Sequence, residues 1–191
     1  MLRGVFGGSF DPVHIGHLVV ARAARDRLGL DVVHLIPANR QPFKTQGHVA
    51  SARDRLAMLR VAVAESPGLR ADAREVERGG VSYTIDSLRE LRAEFPEDAL
   101  CLLVGADAAR ELPGWREGAE ISRLARIGVL TRPGAGMPDL PWPAELVEVP
   151  AVAASATDVR ARLRRGESVA GLIPDAVAQY ITTHGLYRTE D

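Results

Sequence analysis

The stretch that decides the fold is Gly7 to His17, GGSFDPVHIGH, which follows directly on the first apolar run of the chain. Before it, LRGVF (2–6) has the length and apolarity of a short strand. After it, HIGHLVVARAARDRLG (14–29) carries apolar residues at helical spacing and ends on a glycine stop signal, Gly29. Gly7 and Gly8 let backbone approach a ligand closely. Pro12 presets a helix entry. The helix that follows directs unpaired N–H groups and the positive end of its dipole into the turn, which favours a phosphate there. His14 and His17, three apart, share one face of the first turn, and Gly16 between them leaves room for a ligand. The plain alternative is a glycine turn that only packs, with Asp11 as a cap and the two histidines as a metal pair. No third ligand at a suitable spacing supports the metal pair.

The same strand-to-helix alternation continues along the chain. DVVHLIP (31–37) reads as a second buried strand, and ANRQPFKTQGHVA (38–50) as a loop. Ser51 opens a helix that Pro67-Gly68 ends, and LRADAREVER (69–78) reads as a weakly alternating strand. YTIDSLRELRAEF (83–95) reads as a helix, ALCLLVG (99–105) and RIGVLTRP (126–133) as buried strands, and ELVEVP (145–150) as a last strand. SATDVRARLRRG (155–166) and IPDAVAQYITTHG (173–185) read as closing helices, the second with Pro near its first position and Gly185 past its end. The expected fold is α/β. It is a Rossmann-like, doubly wound, mostly parallel sheet with helices on both faces and a small C-terminal helical part, residues 1–191 forming one domain. In such sheets ligands bind beyond the carboxyl ends of the strands, at the switch point, which is where GGSFDPVHIGH begins.

Composition narrows the function classes. With 24 Lys+Arg against 25 Asp+Glu there is no global basic field for long nucleic acid, so an anion site must be local. Most of the arginines read as solvated surface. Cys101 is the one cysteine and sits in an apolar strand, which excludes a disulfide framework within the chain and points to a reducing cytoplasm. No apolar run approaches the ~20 residues of a membrane span. MLRGVFGG is broken by glycine too early for a signal peptide.

The string GGSFDPVHIGH resembles the signature of the nucleotidylyltransferase superfamily, whose H-x-G-H is shared with class I aminoacyl-tRNA synthetases. From Gly4 to Tyr187 the chain is similar to the bacterial nicotinate-nucleotide adenylyltransferases. PANRQPFK (37–44) resembles that family's P-x-x-x-x-P-H-K, with Lys44 in the place of the phosphate-binding lysine and Phe43 where a histidine is usual. SYTIDSL (82–88), GADA (105–108), Trp115 and ASATDVR (154–160) match further family segments, with Ala154 and Ala156 departing from the pattern.

The resemblance implies adenylyl transfer from ATP to nicotinate mononucleotide, with Mg²⁺ brought by ATP and held mainly by phosphates. It implies His14, His17, Lys44 and Arg160 as the residues that carry the chemistry. ATP would also meet Gly8, Ser9, Phe10, Gly105, Asp107, Ser155 and Thr157, and the mononucleotide would meet Ser9, Thr84, Asp107, Trp115 and Arg116. The expected partners are these small molecules, without nucleic acid or membrane, and a homo-oligomer is compatible with the sequence. The rival readings are an adenylyltransferase for nicotinamide mononucleotide or phosphopantetheine, the latter typically with T-x-G-H, and a non-catalytic nucleotide-binding module. A polyol-phosphate or choline-phosphate cytidylyltransferase would carry R-T-x-G-I-S-T, which is absent.

Overall fold

The computed structural model describes residues 1–42 and 47–188. Six strands, β1 (Leu2–Gly8), β2 (Val32–Pro37), β3 (Leu69–Ala71), β4 (Ala99–Gly105), β5 (Arg126–Thr131) and β6 (Glu145–Glu148), form one sheet. Its order is β3-β2-β1-β4-β5-β6, and every pairing is parallel. The chain runs outward from β1 to β3, then returns to place β4 on the other side of β1. The switch point therefore lies between the carboxyl ends of β1 and β4, at Gly8 and Gly105.

Among the described residues α1 (Ile15–Leu28), α2 (Ala52–Val63), α3 (Arg74–Arg78), α4 (Thr84–Glu94), α5 (Ala106–Glu111) and α6 (Gly118–Leu124) lie between strands, and α7 (Ala156–Arg164) and α8 (Asp175–Thr183) follow the last strand. Alternating strand residues feed two apolar cores, as the two-residue period of a strand requires. On one face Val33, Leu35, Cys101 and Leu103 pack with Leu18, Leu59 and Val177. On the other, Val5, Ile36, Leu102 and Val104 pack with Ile85, Leu88 and Ile121. Each such side chain, fully buried, contributes about 1.5–3 kcal/mol. Burial pushes the Cys101 thiol up to about 11, so it packs as a small hydrophobe. No helix among the described residues is long and apolar enough to cross a membrane.

The expected doubly wound sheet is present, and Gly29 ends α1 in the left-handed conformation (φ 63°). Ser51 and Ser155 cap α2 and α7 by accepting the Asp54 and Asp158 N–H groups. Residues 69–78 depart from the expected strand: only Leu69–Ala71 pairs. Asp72 Oδ1 then accepts the Arg74 N–H at 3.0 Å and turns the chain into α3. Pro174 is the N-cap of α8 rather than its first helical residue.

Candidate active site

The loop from β1 to α1 is built on Phe10. Its backbone adopts a positive φ of 48°, which sends the ring into the core beneath Gly8, where a Cβ would stand 3.0 Å from the ring. The Phe10 ring meets His17 edge-on at 4.9 Å. It is therefore a floor for the histidine pair.

His14 is the N-cap of α1, and its backbone N–H donates to His17 Nδ1 at 3.2 Å. That bond leaves the His17 ring proton on Nε2, so the outward nitrogen is a donor. The two rings stack with centroids 3.7 Å apart. Burial pushes His14 down to about 4. Burial, with His14 as the next cause, pushes His17 down to about 3. Both rings are neutral donors at neutral pH. His14 Nδ1 is buried without a partner. Gly16 is required by this pair: a Cβ there would lie 2.9 Å from His14 Nδ1.

Asp11, read from the sequence as a cap, instead ties the loop to distant segments. Its buried carboxylate accepts the Val49 N–H at 2.7 Å, the Ala50 N–H at 3.1 Å and the Tyr187 hydroxyl at 2.7 Å. Its carbonyl accepts Arg160 Nη1 at 2.6 Å. Arg160 thus lies against the loop, with Nη2 3.4 Å from Thr157 Oγ1. Ser155 and Thr157 stand exposed on the first turn of α7, and the Ala154 carbonyl borders Gly16. The N-termini of α1 and α7 therefore open on the same space, with an arginine beside them. Such an arrangement is chemically suited to hold a polyphosphate.

Arg55 escapes sequence reading. It sits in RDRL, where it looks like one more solvated helix residue, yet it is fully buried. Its guanidinium donates to the carbonyls of Ser9 at 2.7 Å, Asn39 at 3.3 Å and Ala50 at 3.3 Å. Three segments of the site meet on one side chain. Ser9 Oγ reaches Gln41 Oε1 at 3.1 Å, joining the motif to the 38–42 loop. Lys44 and Phe43 lie outside the described residues.

Beside the cradle, across the carboxyl ends of β1 and β4, opens a cavity of about 370 Å³. Gly8, Gly105, Ser82, Tyr83, Thr84, Trp115 and Arg116 line it. The Trp115 indole N–H is buried without a partner. The Arg116 guanidinium lies over the Tyr83 ring at 4.7 Å and 3.7 Å from Asp86 Oδ2. The expected Thr84, Trp115 and Arg116 are thus brought together. Asp107 is not among the lining residues: it lies in the first turn of α5, exposed, and holds Arg110 at 2.6 Å. Glu75 is a second residue that sequence reading missed. It lines the cavity from α3 and is buried. Burial pushes its carboxyl up, while the hydroxyls of Ser87 and Ser82 and the charge of Arg78 pull it back. Among the described residues no group of three His, Cys, Asp or Glu is placed to hold a metal ion.

An open parallel sheet with a histidine pair and two helix N-termini at its switch point suits a nucleotide-handling α/β protein, and the relatives of this chain place it in the nucleotidyltransferase class. The chain belongs to the cytidylyltransferase-like family, whose model matches residues 5–162. It is 44% identical over 188 residues to a Thermus thermophilus protein named "Probable nicotinate-nucleotide adenylyltransferase", covering 98% of this chain and 100% of that one. A protein of the same name from a Roseiflexus species is 45% identical, covering 97% of each chain. In fold it is similar to Plasmodium falciparum nicotinic acid mononucleotide adenylyltransferase, a structure solved with NaAD. The TM-score is 0.78 at 17% identity, covering 97% of each chain.

Proposed function

We infer that the chain is a nicotinate-nucleotide adenylyltransferase, transferring the adenylyl group of ATP to nicotinate mononucleotide and releasing pyrophosphate. One observation carries this reading: the phosphate cradle around His14, His17 and Arg160 shares its Gly8 edge with a cavity lined by Thr84, Trp115 and Arg116. A triphosphate in the cradle and an aromatic ring in the cavity then place two phosphates at the switch point.

The chemistry asks little of side chains as bases. The mononucleotide phosphate is already anionic near neutral pH, its second pKa being ~6. One of its oxygens forms a bond to the α-phosphorus of ATP, the bond to the bridging oxygen of the β-phosphate breaks, and that oxygen leaves with pyrophosphate. The protein aligns the two anions in line and offsets the charge that builds up. His17, its Nε2 proton fixed by the His14 N–H, donates to the α-phosphoryl group, and His14 donates beside it. Lys44 and Arg160 hold the β- and γ-phosphates. Backbone near Gly8 to Phe10 and the α7 start at Ser155 and Thr157 complete the ATP contacts. Gly105 and Asp107 border the ribose and mononucleotide. From its exposed place Asp107 reaches them only by releasing Arg110.

Mg²⁺ arrives with ATP. The Asp11 carboxylate beside the cradle is committed to three donors, so Mg²⁺ would be held chiefly by phosphate oxygens and water, where it would supply charge withdrawal from the phosphates. In the cavity the Trp115 ring stacks on the pyridine. The Thr84 hydroxyl and N–H groups near Trp115 and Arg116 meet its carboxylate. Such donors are poorly met by a carboxamide, whose NH₂ cannot accept, so the acid is preferred. On this reading residues 1–191 act as one domain, and the chain's single cysteine fits a reducing cytoplasm. Pyrophosphate release with ATP, Mg²⁺ and nicotinate mononucleotide tests it, with nicotinamide mononucleotide as the comparison. The reading fails if the acid gives no release.

A further inference from the structure

A carboxylate buried in the wall of a cavity that takes an anionic ring needs a reason to be there. Glu75 on α3 is 7% exposed and borders the cavity. Its Oε1 accepts the Ser87 hydroxyl at 2.7 Å, and the nearby Ser82 hydroxyl helps pull its carboxyl pKa back down. Each serine oxygen is itself an acceptor. Ser87 Oγ takes Arg78 Nη2 at 3.1 Å, and Ser82 Oγ takes the Asn39 N–H at 2.9 Å. Ser87 thus accepts from Arg78 and gives its own proton to Glu75. The carboxylate therefore fastens the Ser87 end of the strip Ser82–Ser87 and lies near its Ser82 end, and between those ends lie Tyr83 and Thr84, two walls of the cavity.

The fastening reaches further. Asn39 donates its N–H to Ser82 Oγ and its side-chain amide N–H to the Gly80 carbonyl at 2.8 Å, and its carbonyl accepts from Arg55. Arg55 in turn holds Ser9 of the phosphate loop. Ser82, beside Glu75, thus ties the ring cavity to the 38–42 loop.

We propose that Glu75 is a positioning residue for the mononucleotide: by holding Ser87 and facing Ser82 it sets Thr84 and Tyr83 against the ring and its carboxylate. The proposal rests on the adenylyltransferase reading given above. Glu75→Gln tests it with little change of shape. A glutamine offers one carbonyl acceptor and one NH₂ donor, so one serine faces a donor and must turn. Loss of one such constraint raises KM for nicotinate mononucleotide about tenfold. KM for ATP stays within about twofold, and the preference over nicotinamide mononucleotide narrows. A purely structural role would lower the fraction of active enzyme, and so kcat, with both KM values unchanged. That result, or no change at all, overturns the proposal. If Glu75→Gln does not fold, Ser87→Ala removes one end of the fastening and must raise the same KM. An unchanged KM there also overturns it. Wild-type enzyme that releases no pyrophosphate with the mononucleotide instead sinks the activity reading and this proposal with it. Active wild type with an unmoved KM in the variant sinks the proposal alone.

Discussion

His17 Nδ1 accepts the backbone N–H of His14 at 3.2 Å, so the helix N-cap sets the tautomer of the ring three residues on. The spacing of H-x-G-H follows from this bond as much as from any ligand. His17→Gln removes the aimed Nε2 proton and should lower kcat by about 10²–10³, as for other preorganised charge stabilisers. Steady-state kinetics beside a melting curve checks it. A loss of stability that accounted for the whole fall in rate would contradict the assigned role.

Gly16→Ala should separate activity from folding. The added methyl favours a helix by about 1 kcal/mol, yet it lies 2.9 Å from His14 Nδ1 and must push that ring aside. A displacement near 1 Å can cost up to ~10² in rate. The expected variant melts no lower than wild type and turns over at least tenfold more slowly.

The histidine pair also makes a pH prediction. Both groups have folded pKa values near 4 and 3, below the ordinary 6.5. Between those values the unfolded chain binds more protons than the folded one, so stability rises with pH. The contribution is complete above about 6.5 and is lost as pH falls toward 4. Melting temperatures from pH 8 to 4.5 should drop for wild type, and drop less for the His14→Gln/His17→Gln pair. Parallel profiles would refute the assignment.

Arg55→Met leaves the carbonyls of Ser9, Asn39 and Ala50 buried without their donor. That should cost about 2–4 kcal/mol and lower Tm by roughly 5–15 °C at this chain length. Arg55→Lys keeps the charge but not the planar fork, and should fall between the two. A variant that melts with wild type would show that water replaces the guanidinium.

These residues also mark where the sequence stops being readable. The sheet was legible because buried strands such as ALCLLVG and the glycine stop at Gly29 are local signals. The histidine pair, Thr84, Trp115 and Arg116 were legible through motif and order. Arg55 was not: a charged residue in RDRL has the pattern of a solvated helix face, and only tertiary packing brings three carbonyls to it. Glu75 was hidden by the same means, inside a segment expected as a strand. Its helix α3 has five residues and depends on the Asp72 side chain to start. Helices α5 and α6 have no side-chain cap. The first begins directly on Gly105, and the second starts from Glu117 in a left-handed conformation (φ 55°) that no propensity announces.

The central claim is that the cradle and the cavity serve one transfer, from ATP to an acidic pyridine mononucleotide. The most direct measurement is pyrophosphate release with ATP and Mg²⁺ at saturating nicotinate mononucleotide and at saturating nicotinamide mononucleotide. The account predicts turnover with the acid and a kcat/KM at least tenfold lower with the amide. Equal kcat/KM values would remove Thr84 and the Trp115 loop as a carboxylate site, and no release with either would contradict the account.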